Sequence, residues 1–411
     1  MGKSPRVLMV GYNGANNTGA EALLLSDIVD MREVLGPDAL ITVPTLNEKN
    51  LRRYLKEEPR LRIAPIPTIY FFEVYKLVRQ HDLIALVEGS TYMDTWGSAL
   101  LWAFLSATWC ARAMNKPCLA YAVDAGKLSH FNQQMVRRIA STTDLIITRA
   151  QAAADRLLTY GVKAPIEVTA DNAFNFQIDS SDIGWPKRIW PELDKGLVGI
   201  AAVDFYLFPA VIRLWGRKQD CYKWPYYYSR SPERCRASQS LADGYAVLAD
   251  EIIAKHNKSV ALICMEQLDE PLAKAIHDRM KNKNRVRTFS SREYNASQMT
   301  VLLRSLELLI TSRYHACVLS LAAQIPQVAV GHDLRLKTIY SDLGLKDNFF
   351  IEPDLNTMFP GLTLAIDRLI ENPEIQKDAL KRGYEEHLTR ARHNRELLSE
   401  FIKNHGWKVF P

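Results

Sequence analysis

The densest group of reactive side chains is Thr311-Ser312-Arg313-Tyr314-His315-Ala316, which ends the apolar run 306–311 and opens the apolar segment 317–323. A guanidinium and an imidazole this close to the carboxyl end of a strand are costly to bury unless they meet an anion or partners of their own. One strand later, Asp333-Leu334-Arg335-Leu336-Lys337 adds two more cations. Arg313, Arg335 and Lys337 converging with His315 on one crevice would suit a phosphate-bearing substrate. His315 taken alone would serve equally well as a helix cap or a satisfied core residue.

Two further segments carry chemistry. Gly11-Tyr12-Asn13-Gly14-Ala15-Asn16-Asn17-Thr18-Gly19-Ala20-Glu21 leads from the apolar run 7–10 into a helix-like stretch, so a glycine-rich turn sits at a helix N-terminus. The unpaired N–H groups there favour an anion or a polar ligand. Its spacing matches neither a Walker loop nor a dinucleotide fingerprint, and the plain alternative is a tight turn capped by Asn17 or Thr18. Glu88-Gly89-Ser90-Thr91-Tyr92-Met93-Asp94-Thr95-Trp96-Gly97 follows another strand, where open α/β sheets build their sites. Asp94 is its candidate base or hydroxyl binder, with helix capping as the alternative. The segment 121–127 ends a third strand and would line the same crevice. Between Asp204 and Tyr228 lie nine aromatic residues, Trp215 among them, interleaved with Arg213, Arg217, Lys218 and Lys223. They could stack on sugar rings or bases, or pack an insertion onto its domain.

The elements that must position these residues recur with a clear rhythm. Strand-length apolar runs stand at 7–10, 83–87, 118–123 and 145–148, and again at 197–203, 260–265, 306–311 and 327–330, each separated by room for a helix. That alternation predicts an α/β protein of βαβ units, most simply two Rossmann-like domains. A length of 411 residues fits two or three folded units. Loop-forming residues crowd 179–194, so the expected division is 1–184, a linker at 185–195, a second domain at 196–364, and a helical segment at 365–411. The last segment either crosses both halves or extends the second.

Composition narrows the class. With 52 Lys and Arg against 46 Asp and Glu, the net charge is +6, a mild excess that suits an anionic small substrate and argues against nucleic acid as the partner. The six cysteines show no zinc-like spacing and are expected to be reduced and mostly buried. The apolar start is too short for a secretory leader, which predicts a cytoplasmic protein. The uncharged stretch between Asp94 and Arg112 falls short of a bilayer-spanning helix and reads as a buried one.

Taken together, the segments resemble the polysaccharide pyruvyl transferase family. The resemblance rests on the first loop from Gly14 to Glu21, on Gly89 to Asp94, on Arg149 followed by Asp171-Asn172-Ala173-Phe174, and on the Arg-x-His of Arg313 and His315. It extends from residue 7 to about residue 345. Ala20, Glu88 and Ala150 stand where members more often carry Asp, Gly and Asp. The resemblance implies a GT-B-like pair of Rossmann domains with the active site in the inter-domain cleft, the acceptor on the first domain and the donor on the second. It further implies that phosphoenolpyruvate gives its enolpyruvyl-derived group to two hydroxyls of a sugar. Arg313, Arg335, Lys337 and Arg149 would then neutralise the donor, and His315 would protonate its methylene carbon, with Asp94 or Glu21 assisting the acceptor. Gly14, Asn16, Asn17, Gly19, Gly89, Ser90, Trp96 and Trp215 would form the loop and acceptor side. This chemistry requires neither a metal nor an organic cofactor. A lipid-linked acceptor and a peripheral contact with an anionic membrane are compatible with the positive charge. Two alternatives stay open: a GT-B glycosyltransferase holding a nucleotide sugar with Arg313 and Lys337, and a non-catalytic glycan-binding member.

Overall fold

The computed structural model describes residues 4–95, 97–191, 196–207, 210–218, 221–228, 231–331 and 333–410. Strands β1 (Arg6–Val10), β2 (Leu40–Thr45), β3 (Leu61–Pro65), β4 (Leu83–Leu86), β5 (Cys118–Val123), β6 (Leu145–Thr148) and β7 (Ile166–Val168) form a parallel sheet in the order β3-β2-β1-β4-β5-β6-β7. β1, β4 and β5 are buried almost throughout and read as unbroken apolar runs, as strands covered on both faces must. β2 contains Pro44, and β3 alternates buried with exposed residues, so neither shows such a run.

The second half begins with β8 (Leu197–Ala201). β9 (Ala210–Ile212), β10 (Cys221–Lys223) and β11 (Tyr226–Tyr228) then make a small antiparallel sheet, before β12 (Ser259–Cys264), β13 (Val286–Ser290), β14 (Leu308–Thr311), β15 (Gln327–Val330) and β16 (Phe350–Ile351). The large parallel sheet here runs β13-β12-β8-β14-β15-β16. Both sheets therefore reverse strand order beside their first strand, between β1 and β4 and between β8 and β14. Such a reversal opens a crevice at the carboxyl ends of the strands. The expectation of two Rossmann-like domains is met, and the aromatic-rich stretch proves to be an insertion in the second.

Several connections decide how the halves meet. The Thr18–Leu35 helix starts at Asn17, whose side chain accepts from the Ala20 N–H at 3.0 Å, and ends at Gly36 with φ 83°. Its Ala22 and Leu23 lie in the second core, whereas Leu24 and Ile28 lie in the first. After β7, Ala170, Ala173, Phe174, Phe176, Trp185 and Trp190 are buried in the second core. The chain thus changes cores near residue 170, ahead of the loop-forming stretch, because these aromatic side chains find apolar cover only against the second sheet. The Lys377–Asn404 helix crosses both halves: Leu380 and Ala391 belong to the second core, and Leu397, Leu398, Phe401 and Ile402 to the first. The Ser98–Ala113 helix buries Leu101, Phe104, Leu105, Cys110 and Ala111 in the first domain. Among the described residues no helix is long and apolar enough to cross a membrane. The six cysteines are unpaired, and Cys110, Cys118, Cys264 and Cys317 are buried.

Candidate functional site

The carboxyl ends of the two large sheets face each other across a cleft of about 790 Å³. Of the residues singled out in the sequence, Gly14, Asn17, Gly19, Ser90, Arg313, His315 and Arg335 line it. Trp96 lies outside the described residues.

The first loop serves mainly as a seam between the domains. Asn16 adopts φ 50°, its Nδ2 donates to Gln267 Oε1 at 3.0 Å, and its carbonyl accepts from Gln267 N–H at 3.1 Å and Ser291 Oγ at 2.6 Å. The Thr18 N–H donates to the Met265 carbonyl at 2.9 Å. Gly14 has φ 76° and passes so close to Asn47 that a Cβ would stand 2.7 Å from its carbonyl oxygen. Glu21, expected to assist the acceptor, is instead enclosed in this seam. One carboxylate oxygen takes the Arg53 guanidinium at 2.7 Å and the other the Ala296 N–H at 3.0 Å, while Arg53 also donates to the Ser291 carbonyl at 2.6 Å. Burial pushes the Glu21 carboxyl up to about 8 against the pull of Arg53 and Ala296.

His315 sits in the first turn of the Tyr314–Ser320 helix. Its Nε2 lies 3.6 Å from Asp171 Oδ2, and Asp171 is fully enclosed. Asp171 also takes Arg149 Nη1 and, at 2.8 Å, the Ala173 N–H. Arg149 Nε donates to Asp124 at 2.9 Å, and its guanidinium stands 4.5 Å from the Tyr314 ring centroid. Burial alone would raise the Asp171 carboxyl, but Arg149 and His315 outweigh it and hold the group below its ordinary range, hence ionised. Arg149, expected on the donor, therefore stands behind His315 in a buried chain Asp124–Arg149–Asp171–His315. Two glycines are explained by this chain. A Cβ on Gly19 would overlap the His315 ring at Nδ1, and one on Gly89, itself off the cleft wall, would overlap Arg149 Nη1.

The remaining cations are largely compensated. Arg313 grips Asp269 with Nε and Nη2 and reaches Glu266 Oε2 with Nη1 at 3.1 Å. Both carboxyls are pushed upward by burial, an effect Arg313 only partly reverses. Arg335 holds Asp333 through Nε at 2.9 Å and Nη2 at 2.6 Å, and although burial raises that carboxyl, Arg335 holds it at about 2. Lys337 turns away to Glu352 at 2.6 Å and does not line the cleft. Asp94 is likewise occupied: its Oδ2 accepts from Ser129 N–H at 2.8 Å and Asn132 Nδ2 at 2.7 Å, tying its loop to the start of the His130–Ile139 helix. Trp215 is 78% exposed and off the cleft wall, to which the insertion instead contributes Ile212, Tyr226 and Tyr228.

The segment 121–127 lines the cleft as expected, through Ala125, Gly126 and Lys127, and Glu88 does so from the second cluster, whereas Arg156, Glu266 and Gln267 were not selected from the sequence. Glu88, two residues past β4, accepts from the Tyr12 N–H at 3.3 Å and from Ser90 N and Oγ at 3.3 Å each, and among the described residues it makes no ion pair. Lys127 and Arg156 add positive charge on the first domain, and Glu266 and Gln267 come from the end of β12. Position after a strand was a readable signal for Glu88, Lys127 and Glu266; Arg156, within the Gln151–Thr159 helix, gave none. Among the described residues no group of three or more His, Cys, Asp and Glu side chains is arranged to hold a metal ion.

Comparison with known proteins gives a family and a fold. A family model described as polysaccharide pyruvyl transferase matches residues 17–333. Among curated proteins no match is found. Among solved structures, Anabaena HepE in complex with UDP is similar at a TM-score of 0.61 and 14% identity, covering 97% of this chain and 100% of that one. A UDP-GlcNAc 2-epimerase from Neisseria meningitidis, bound to UDP-GlcNAc, gives 0.62 and 11% with the same two coverages, 97% and 100%. The α,α-trehalose 6-phosphate synthase from Burkholderia multivorans gives 0.57 and 11%, covering 98% of this chain and 99% of that one. At these identities the likeness is one of fold, and the fold is GT-B.

Proposed function

This chain belongs to the polysaccharide pyruvyl transferase family, and on that footing we propose that it moves the enolpyruvyl-derived group of phosphoenolpyruvate onto two hydroxyls of a sugar in a glycan or glycan precursor. The products are a pyruvate ketal and phosphate. The observation that carries this reading is His315 on the cleft wall with an ionised, buried Asp171 behind it.

The Asp171 carboxylate lies on the Nε2 side of the imidazole, so the Nδ1 side, over Gly19, is the one that delivers a proton. That proton goes to the methylene carbon of the donor, and the adjacent carbon becomes electrophilic. One sugar hydroxyl attacks it and loses its proton to a base, a role we assign to Glu88, which lines the cleft and among the described residues makes no ion pair. Phosphate leaves as the second hydroxyl closes the ring and carries away the proton that the base received, while the proton of the second hydroxyl replaces the one His315 gave up.

Phosphate release from phosphoenolpyruvate in the presence of glycan acceptors tests the reading, together with thermal unfolding under the same ligands. We expect stabilisation by phosphoenolpyruvate, and in His315→Ala a loss of turnover with donor binding retained. Stabilisation by a nucleotide sugar and none by phosphoenolpyruvate would replace this reading with the glycosyltransferase one. Intact turnover in His315→Ala would remove the acid role.

A further inference from the structure

We propose that the tip of the β9-β10-β11 insertion, together with the start of the Phe71–Gln80 helix, is a docking surface for an anionic lipid bilayer. The helix buries only Val74 and Val78 and leaves Phe71, Phe72 and Tyr75 exposed, with Ile69 just before it. Lys76, paired with Glu73 at 2.8 Å, lies 4.4 Å from the centroid of the Phe72 ring. On the insertion, Ile212, Leu214, Trp215 and Trp224 are all more than half exposed. Their loop is nevertheless held in place. The Arg213 N–H donates to the Pro225 carbonyl at 2.9 Å and Trp224 Nε1 to the Leu214 carbonyl at 3.3 Å, while a Cβ on Gly216 would stand 2.6 Å from the Tyr227 ring. Single exposed apolar side chains are ordinary on a protein surface, but a group of them presented by a built loop marks contact with something apolar.

The two groups flank one opening. Tyr70, just before the helix, and Tyr226, opposite Ile212 in the β9–β11 pairing, both line the cleft and stand near enough to interact electrostatically. Around Tyr70 the cleft wall is apolar, through Ile66, Val74 and Leu100. Charge then selects the occupant. Residues 210–228 carry Arg213, Arg217, Lys218 and Lys223 against the single acid Asp220, a net of +3, half the +6 of the whole chain. Tryptophan at the depth of the headgroups, with cations reaching the lipid phosphates, is the pattern of an interfacial anchor. Two copies of the chain meeting at this tip would bring like charges together. A single-stranded nucleic acid would use the rings and the cations but has no stacking role for Ile69, Ile212 and Leu214, whereas a bilayer takes all three kinds of side chain. Docked in this way, the protein opens its cleft toward the membrane surface. The inference does not depend on which donor the cleft takes.

The experiment is co-sedimentation of the full chain with vesicles of phosphatidylcholine alone and of equal parts phosphatidylcholine and phosphatidylglycerol. It compares wild type with Leu214→Ser/Trp215→Ser, Arg217→Gln/Lys218→Gln and Phe72→Ser, with melting temperature as the fold control. Wild type is expected to bind the anionic vesicles and to be released by salt. Removing the two cations should weaken binding roughly fivefold for each, and removing Leu214 and Trp215 at least about tenfold, with the Phe72 variant weaker in the same direction and all melting temperatures unchanged. Absence of wild-type binding to anionic vesicles, or undiminished binding by the folded double variants, would overturn the proposal. So would self-association, or binding of a single-stranded oligonucleotide, that is lost in Leu214→Ser/Trp215→Ser while vesicles are ignored, since either assigns the surface to another occupant. No substrate is present in the measurement, so its failure leaves the phosphoenolpyruvate reading untouched, and failure of that reading leaves the docking surface in place.

Discussion

At the scale of single residues, the site is defined by where side chains are missing as much as by where they are present. Gly19 lies one residue inside a helix, where alanine would ordinarily favour helix formation, yet a Cβ there would overlap the His315 ring. Gly19→Ala is therefore expected to leave the Thr18–Leu35 helix intact and to displace the imidazole. Turnover should fall by roughly a hundredfold, the effect of a misplacement of about 1 Å at a reacting group. Steady-state phosphate release checks this, and unchanged turnover would show that the ring has room to move. Gly19 was readable as a member of a glycine-rich turn. Its reason was not, because His315 is almost three hundred positions away in the chain and nothing local marks the contact. Separations of 44 and 47 positions likewise hide the state of Arg313, whose partners Asp269 and Glu266 belong to a different strand end.

The first loop is the element on which sequence reading and structure differ most usefully. Its cap is local and was legible: Asn17 accepts from the Ala20 N–H three residues on. Its docking onto Met265, Gln267 and Ser291 depends on the second domain and had no local signal. Glu21 carries a measurable consequence of that docking. Its carboxyl moves from an ordinary 4.5 to about 8 on folding, so the folded protein binds a proton that the unfolded chain has released. A raised value contributes stability that is complete at low pH and is lost as pH rises through the folded value. Between about pH 4.5 and 8 this one group should lower stability by up to about 1.4 kcal/mol per pH unit. Glu21→Gln removes the titration while keeping the shape, so its stability should fall less steeply across that window. Urea unfolding of both proteins at a series of pH values measures the difference, and parallel curves would mean that Glu21 is not titrating in the seam.

Among the described residues of the whole molecule, the halves are joined by the first-loop seam, by the Thr18–Leu35 helix shared between both cores, by the segment after β7 and by the Lys377–Asn404 helix. Leu398 is completely buried in the first core although its helix begins in the second. Leu398→Ala is expected to cost about 2–5 kcal/mol, the usual range for a buried leucine truncation. Because the helix belongs to both cores, wild type should also unfold in a single transition, and two resolved transitions in a denaturant titration would show that the clasp does not couple the halves. The sequence by itself determined the two parallel α/β domains, the strand ends that carry chemistry, the cap of the first helix and the Arg-x-His element with its family resemblance. All of these are written in apolar periodicity or in spacings of a few residues, which local backbone geometry translates directly. Only the tertiary structure decided that Arg313, Arg335 and Lys337 are already paired, that Arg149 and Asp171 stand behind His315, that Glu21 joins the domains and that the last helix clasps both. Apart from the Asp333–Arg335 pair, these facts depend on groups from separate elements: Arg313 with Asp269 and Arg149 with Asp124 each meet at strand ends of a single sheet, whereas the Glu21 seam and the Asp171–His315 contact form only where the two halves meet, and Coulomb interactions are set by distance in space and not along the sequence.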